Sequence, residues 1–171
     1  MIDTKTLRTS LASGLHNSQS IKDYCTANFG IDTFYVYSGV DIENTPNVFP
    51  FIGVRTPKAS QVSDEVDVVL LIDLQILGKS TPVEAGSVIT RTYFDEESNS
   101  NATVEEHTLV TYDGDDVLDG LKDIVVDEVI KISDGVSNLT LRKIHYEQDL
   151  LTTFPVYTGF IVFELYTSVN I

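Results

Sequence analysis

The chain has 171 residues, 42% of them hydrophobic and 22% charged, which is enough to bury the core of one domain and too apolar for a disordered segment. Its 26 acidic and 11 basic side chains leave a net charge of −15. That balance excludes nucleic-acid binding through neutralised phosphates and adhesion to an anionic membrane surface, and it favours solubility and repulsion of passing DNA.

Chain order begins with helix. Leu7, Leu11 and Leu15 recur at a spacing of four, so residues 4 to 16 form one amphipathic stripe. His16-Asn17-Ser18 interrupts it, and Ser20 followed by Asp23 resembles a capping box that restarts the helix. Ile21, Tyr24 and Cys25 continue the apolar face until Gly30 ends it. The N-terminal segment is therefore one kinked helix or two short ones.

Strands follow. Phe34-Tyr35-Val36-Tyr37 is aromatic and β-branched, and Ser38-Gly39 closes it. Val48 to Arg55 forms a second strand in which Pro50 marks a strand start or an edge. Pro57 to Ser63 reads as loop. From Glu65 to Leu77 the alternation is regular: Val66, Val68, Leu70, Ile72, Leu74 and Ile76 make a wholly apolar row. Asp67, Asp73 and Gln75 share the opposite face with Val69 and Leu71, and this strand is expected to be the spine of the sheet.

Residues 80 to 115 read as a protruding hairpin insertion, with strands at 88 to 94 and 104 to 112 and an acidic tip at 95 to 101 that includes Asp95, Glu96 and Glu97. Asp116 to Ser133 returns to helix, with Leu118, Leu121, Val125, Val129 and Ile132 on its buried face, and Asp134-Gly135 as its end. Strands at 139 to 146 and 158 to 167 close the chain. In the last, Ile161, Phe163 and Leu165 form one face, and Phe160, Val162, Glu164 and Tyr166 form the other. Both faces are largely apolar, which calls for cover on both sides. No linker divides this order, so residues 1 to 171 are expected to form a single α+β domain, a mainly antiparallel sheet with helices on one face.

The residues that carry chemistry are dispersed. Cys25 is alone, so neither an internal disulfide nor a thiolate cluster can form, and it reads as a small buried helix residue. His16, His107 and His145 show no metal-ligand spacing. Asp113 to Gly120 begins like a calcium loop but places Val117 at a ligand position and Leu118 where the turn glycine belongs. Neither a glycine-rich phosphate cradle nor a nucleophile elbow occurs. The expectation is no enzyme, no cofactor and no metal. Met1 to Lys5 lacks the order of a signal peptide, and stretches such as Val68 to Ile72 are too short to span a bilayer, so a soluble protein made in a cytoplasm is expected.

The order of elements resembles the tail terminator family of long-tailed bacteriophages, the lambda-like tail-end proteins. The resemblance rests on the N-terminal helix, Phe34-Tyr35-Val36-Tyr37-Ser38-Gly39, the Phe-Pro strand Phe49 to Val54, the long strand Val66 to Leu77, and the helix Asp116 to Ser133. It extends to the charged strand Ile144 to Asp149 and the terminal aromatic strand Phe160 to Tyr166. The hairpin at 80 to 115 departs from the family pattern. The resemblance implies a structural virion protein, assembled in the host cytoplasm and placed at the head-proximal end of the tail. There it forms a ring, usually hexameric, that stops tube growth. Its partners would be further copies of itself, the tail tube protein, the head–tail connector, and a sheath protein in a contractile tail. DNA passes through such a ring without specific binding. Phe160, Val162, Glu164 and Tyr166, with the tip residues Asp95, Glu96 and Glu97, are the candidate interface.

Two other readings stay open. Tyr35, Tyr37, Tyr93 and Tyr112 could line the groove of a freestanding carbohydrate or small-ligand module, though the absence of tryptophan and of a signal peptide weighs against it. Another head–tail neck protein would share the same surface logic.

Overall fold

A computed structural model of the chain describes residues 2–39, 47–62, 64–78, 84–85, 88–107, 110–111, 114–148 and 155–168. Its centre is the long strand β4, Glu65–Leu77, whose apolar row from Val66 to Ile76 is buried throughout. In chain order the elements before it are the helices α1, Thr4–Asn17, and α2, Gln19–Phe29, and the strands β1, Tyr35–Ser38, β2, Phe51–Val54, and β3, Lys58–Val62. After it come the short strand β5, Glu84–Ala85, the hairpin β6, Val88–Asp95, with β7, Ser100–His107, and β8, Val110–Thr111. The chain ends with α3, Gly114–Ser137, β9, Thr140–Gln148, and β10, Val156–Ser168.

The main sheet has six strands in the order β1-β2-β4-β10-β9, with β3 also paired to β4. Only β1 and β2 run parallel within it; the other pairs are antiparallel. β4 and β10 pair along their whole length, from Leu77 opposite Val156 to Glu65 opposite Ser168. The fold is α+β, as the sequence predicts.

Side-chain alternation divides the sheet into two faces. On the first, Ile161 opposes Ile72, Phe163 opposes Leu70 and Leu165 opposes Val68. These residues join Leu7, Leu11 and Leu15 of α1, Ile21 and Cys25 of α2, and Leu118, Leu121, Val125 and Val129 of α3 in one core. Burying side chains of this size contributes on the order of 1.5–3 kcal/mol each. The helices thus cover one face of the sheet.

Several expectations need correction. The helix break comes at Ser18, not Ser20: the Ser18 hydroxyl accepts from the Ile21 N–H and caps α2. The expected loop after Pro57 is strand β3, because β4 is longer than β2 and its free edge continues to pair, Lys58 opposite Val69 through Val62 opposite Glu65. α3 runs through Asp134-Gly135. It stops where Asn138 takes a left-handed conformation, φ 48°, with the Leu139 N–H returning to the Ser133 carbonyl. Ile132 is only partly buried, and Ser133 takes the fully buried place. The hairpin turn is tighter than the expected tip. The Asp95 carboxylate accepts from the Glu97 N–H and the Ser98 hydroxyl, and Asn99 sits at φ 51°, so β7 begins at Ser100. The single strand expected at 104 to 112 is divided: β7 ends at His107, and β8 pairs separately with β5.

Candidate interaction surface

The second face of the sheet carries the candidate residues of β10. Phe160 stands opposite Asp73, Val162 opposite Leu71, Glu164 opposite Val69 and Tyr166 opposite Asp67. On the other side of β10, Glu147, His145 and Lys143 of β9 face Phe160, Val162 and Glu164. Sheet register alone therefore places these groups side by side.

This face closes at one side and stays open at the other. Toward β1 and β2, Phe51 is fully buried, although it lies on the face away from the helices, and the Tyr37 ring packs against it at 5.4 Å between centroids. Asp73 is 1% exposed there, and Arg55 reaches it with Nε donating to Oδ2 at 2.7 Å and Nη2 donating to Oδ1 at 2.8 Å. Gly53 opposes Asp73, and a Cβ at Gly53 would fall 3.0 Å from the Phe51 ring, so the missing side chain lets the ring and the ion pair lie together. Toward β10 and β9 the cover ends. Val69 is 40% exposed, Leu71, Phe160, Val162 and Tyr166 are half-buried, and Glu164, Lys143 and His145 are exposed.

Charge at the open side is ordered by a bulge. The β9–β10 register shifts between Glu164 and Leu165, which leaves Arg142 as an extra residue on β9. Bulges re-aim side chains, and here Arg142 crosses the Tyr166 ring, 4.8 Å from its centroid, to reach Glu65 at 2.6 Å and Asp67 at 3.0 Å on β4. Lys143 has no carboxylate partner among the described residues, and His145 lies 3.7 Å from Glu147. The result is an apolar stripe, Val69, Leu71, Phe160 and Val162, rimmed by charge. That arrangement is the anatomy of an interface patch.

Among the described residues, the hairpin of β6 and β7 forms its own two-stranded sheet, hydrogen-bonded to no strand of the main one. Its consecutive aromatics point to opposite faces and are both exposed, Tyr93 by 53% and Phe94 by 57%. Of the three acidic candidates, Asp95 is consumed by the turn, whose hydrogen bonds hold its carboxyl below the usual range. Glu96 and Glu97 remain exposed at the tip.

Among the described residues, the other candidate chemistry is not assembled. Burial pushes the Cys25 thiol up to about 11, so it stays protonated at neutral pH. The histidines lie on three different elements, α1, β7 and β9. Among the described residues no cluster of His, Cys, Asp and Glu is placed to hold a metal. Of the calcium-like run, Asp113 lies outside the described residues and Asp115 and Asp116 occupy the first turn of α3, where Gln148 donates to Asp115. Tyr35 and Tyr37 share β1, Tyr93 belongs to the separate hairpin, and Tyr112 lies outside the described residues, so no tyrosine groove forms from the described three. A cleft of about 300 Å³ does open among Phe29, Ile31, Phe49, Pro50 and Leu77, with Asn28 as the one polar side chain among the described residues that line it. No helix among the described residues is long and apolar enough to cross a membrane.

No known family model matches the chain, and no curated protein matches it in sequence.

Sequence reasoning missed three tyrosine seats. A side chain at Gly120 would strike the Tyr24 hydroxyl, which donates to the Val117 carbonyl at 2.8 Å. One at Gly114 or Gly78 would strike the Tyr157 ring, and one at Gly159 the Tyr146 ring at 2.9 Å. No local pattern signals these seats, because the tyrosines that fill them are remote along the chain.

Proposed function

We propose that copies of this chain assemble as a ring, hexameric as in the tail terminator family, on the head-proximal end of a phage tail tube. The ring ends addition of tube protein and presents the surface to which the head connector attaches. In a contractile tail it also borders the sheath. It is a structural virion protein with no catalytic role.

The observation that carries this reading is the half-exposed apolar stripe of Val69, Leu71, Phe160 and Val162 on the open side of the sheet. A single copy leaves it wet, and its charged rim suits a protein partner rather than a membrane. The element order supports the same reading, because the strands that carry the family resemblance all join one sheet, with the long strand at its centre. Net charge of −15 supports it as well, since an acidic ring repels the phosphates of DNA passing through it.

Electron microscopy of tails assembled without this chain tests the proposal. Tubes of unregulated, excess length that fail to join heads are the expected result. Tails of normal length would overturn it. A small-ligand module is the competing reading, favoured only by the Phe29–Phe49–Leu77 cleft, and a chain that remains a monomer and binds a compound there would select it.

A further inference from the structure

The insertion between β4 and α3, residues 79 to 113, leaves the fold and returns to it at one ring. Gly78 follows β4 and Gly114 opens α3, and a Cβ on either would strike the same edge carbon, Cε2, of Tyr157 on β10. The Gly78 N–H also donates to the Pro155 carbonyl at 2.7 Å, which ties the outgoing stem to the start of β10. Beyond that ring the insertion gives the rest of the chain little. Among the described residues, none between 79 and 113 joins the hydrophobic core or packs against it. From Thr90 to Val104 every side chain is exposed except Asp95 and Ala102, which are half-buried. Tyr93 and Val104 stand out on one face of the hairpin and Phe94 on the other.

We infer that residues 79 to 113 form a separable arm, and that the remaining body of the chain both folds and assembles with its copies without it. The assembly half rests on the ring proposed above and assigns the ring contacts to the body. A connection whose two ends meet at one place can be shortened without straining the elements it joins, and a shorter loop costs less entropy to close. An isolated two-stranded hairpin is marginal in water, so the arm opens as a unit of its own before the β4–β10 pair does. Charge keeps it off the open sheet of a second copy. The hairpin carries Asp95, Glu96, Glu97, Glu105 and Glu106 against Arg91. On the open side of the sheet Arg142 is paired with Glu65 and Asp67, and Glu147 and Glu164 stand exposed beside His145 and Lys143. Seating the arm there would set acid against acid. The apolar stripe of Val69, Leu71, Phe160 and Val162 lies wholly on the body.

The test compares the full chain with one in which residues 79 to 113 are replaced by about three Gly and Ser residues, a common length for a short connection. The shortened chain is expected to melt within about 4 °C of the full chain or above it. Sedimentation velocity is expected to show both chains in the same number of copies per particle. A shortened chain that is unfolded, or that melts well below this range, overturns the separable arm. One that folds but stays monomeric where the full chain assembles puts the contact on the arm; it overturns the assembly half and leaves a ring standing. A full chain that is monomeric at every concentration removes the ring reading and the assembly half together, while the melts still decide the fold half. Hydrogen exchange of the unaltered chain in rising urea gives a second readout that needs no deletion. Amides of β6 and β7 should lose protection at urea concentrations that leave those of β4 and β10 unchanged. Loss of protection in all four strands together would contradict the arm's independence.

Discussion

Asp73, in the middle of β4, is buried to 1% exposure and has each of its carboxylate oxygens held by a separate nitrogen of Arg55, at 2.7 and 2.8 Å. The pair lies on the sheet face away from the helices, where the strand alternation would otherwise place a carboxylate in water. It marks the border between the closed and open sides of that face.

Breaking this pair is expected to cost far more than its exposed counterpart. Arg55→Met leaves a buried carboxylate without its guanidinium, and such losses run to about 3–5 kcal/mol. Arg55 itself is 36% exposed, so solvent offsets part of this and about 3 kcal/mol is expected. Arg142→Met breaks ion pairs to Glu65 and Asp67 that are open to water and should cost below about 1 kcal/mol. Urea denaturation of the two variants measures the contrast; equal losses would contradict it.

Gly120 gives a prediction whose sign depends on one distant residue. Alanine favours helix over glycine by about 1 kcal/mol, but its methyl would strike the Tyr24 hydroxyl and displace it from the Val117 carbonyl. Gly120→Ala should therefore destabilise the chain by about 1 kcal/mol, overpacking and the lost hydrogen bond outweighing the propensity gain. In a Tyr24→Ala background the same change should stabilise it. Thermal melts of the four chains decide the matter, and a stabilising Gly120→Ala in the unaltered chain would contradict the seat.

Alkaline pH should weaken the fold through Tyr146. Its burial, and then the nearby carboxylates of Asp119, Asp115 and Asp123, hold its pKa well above the ordinary value of 10.0. Tyr24 is raised as well, first by burial. An unfolded tyrosine begins to ionise near pH 10 while these remain neutral in the fold, so the stabilisation is full below pH 10 and falls as pH rises beyond it. The melting temperature is expected to drop above pH 10, and Tyr146→Phe to lessen that slope. Absorbance of phenolate at alkaline pH should show tyrosines that ionise only on unfolding.

How far the sequence reveals this molecule depends on the range of the interactions involved. β4 was legible because alternation is local, and so was the stripe of Leu7, Leu11 and Leu15, which follows helical period. The two faces of β10 were legible for the same reason, and with them the position of Phe160, Val162, Glu164 and Tyr166. β3 was not, since Lys58-Ala59-Ser60-Gln61 has no apolar alternation and becomes a strand only because β4 offers it an edge. The bulge at Arg142 depends on a register with β10 that no local pattern encodes. Nor could the closed end of the second face be foreseen, because Phe51, Tyr37, Arg55 and Asp73 come from different segments. The role of Asp95 was misplaced for a simpler reason. An acidic run reads as a charged tip, but its first carboxylate is spent on the turn.

The most direct measurement of the ring is a count of this chain at the ends of tail tubes, by electron microscopy of tubes assembled with it. A single closed ring at one end of each tube, with further tube protein unable to add there, is the predicted result. Chains found singly, along the tube wall or absent from its ends would contradict it.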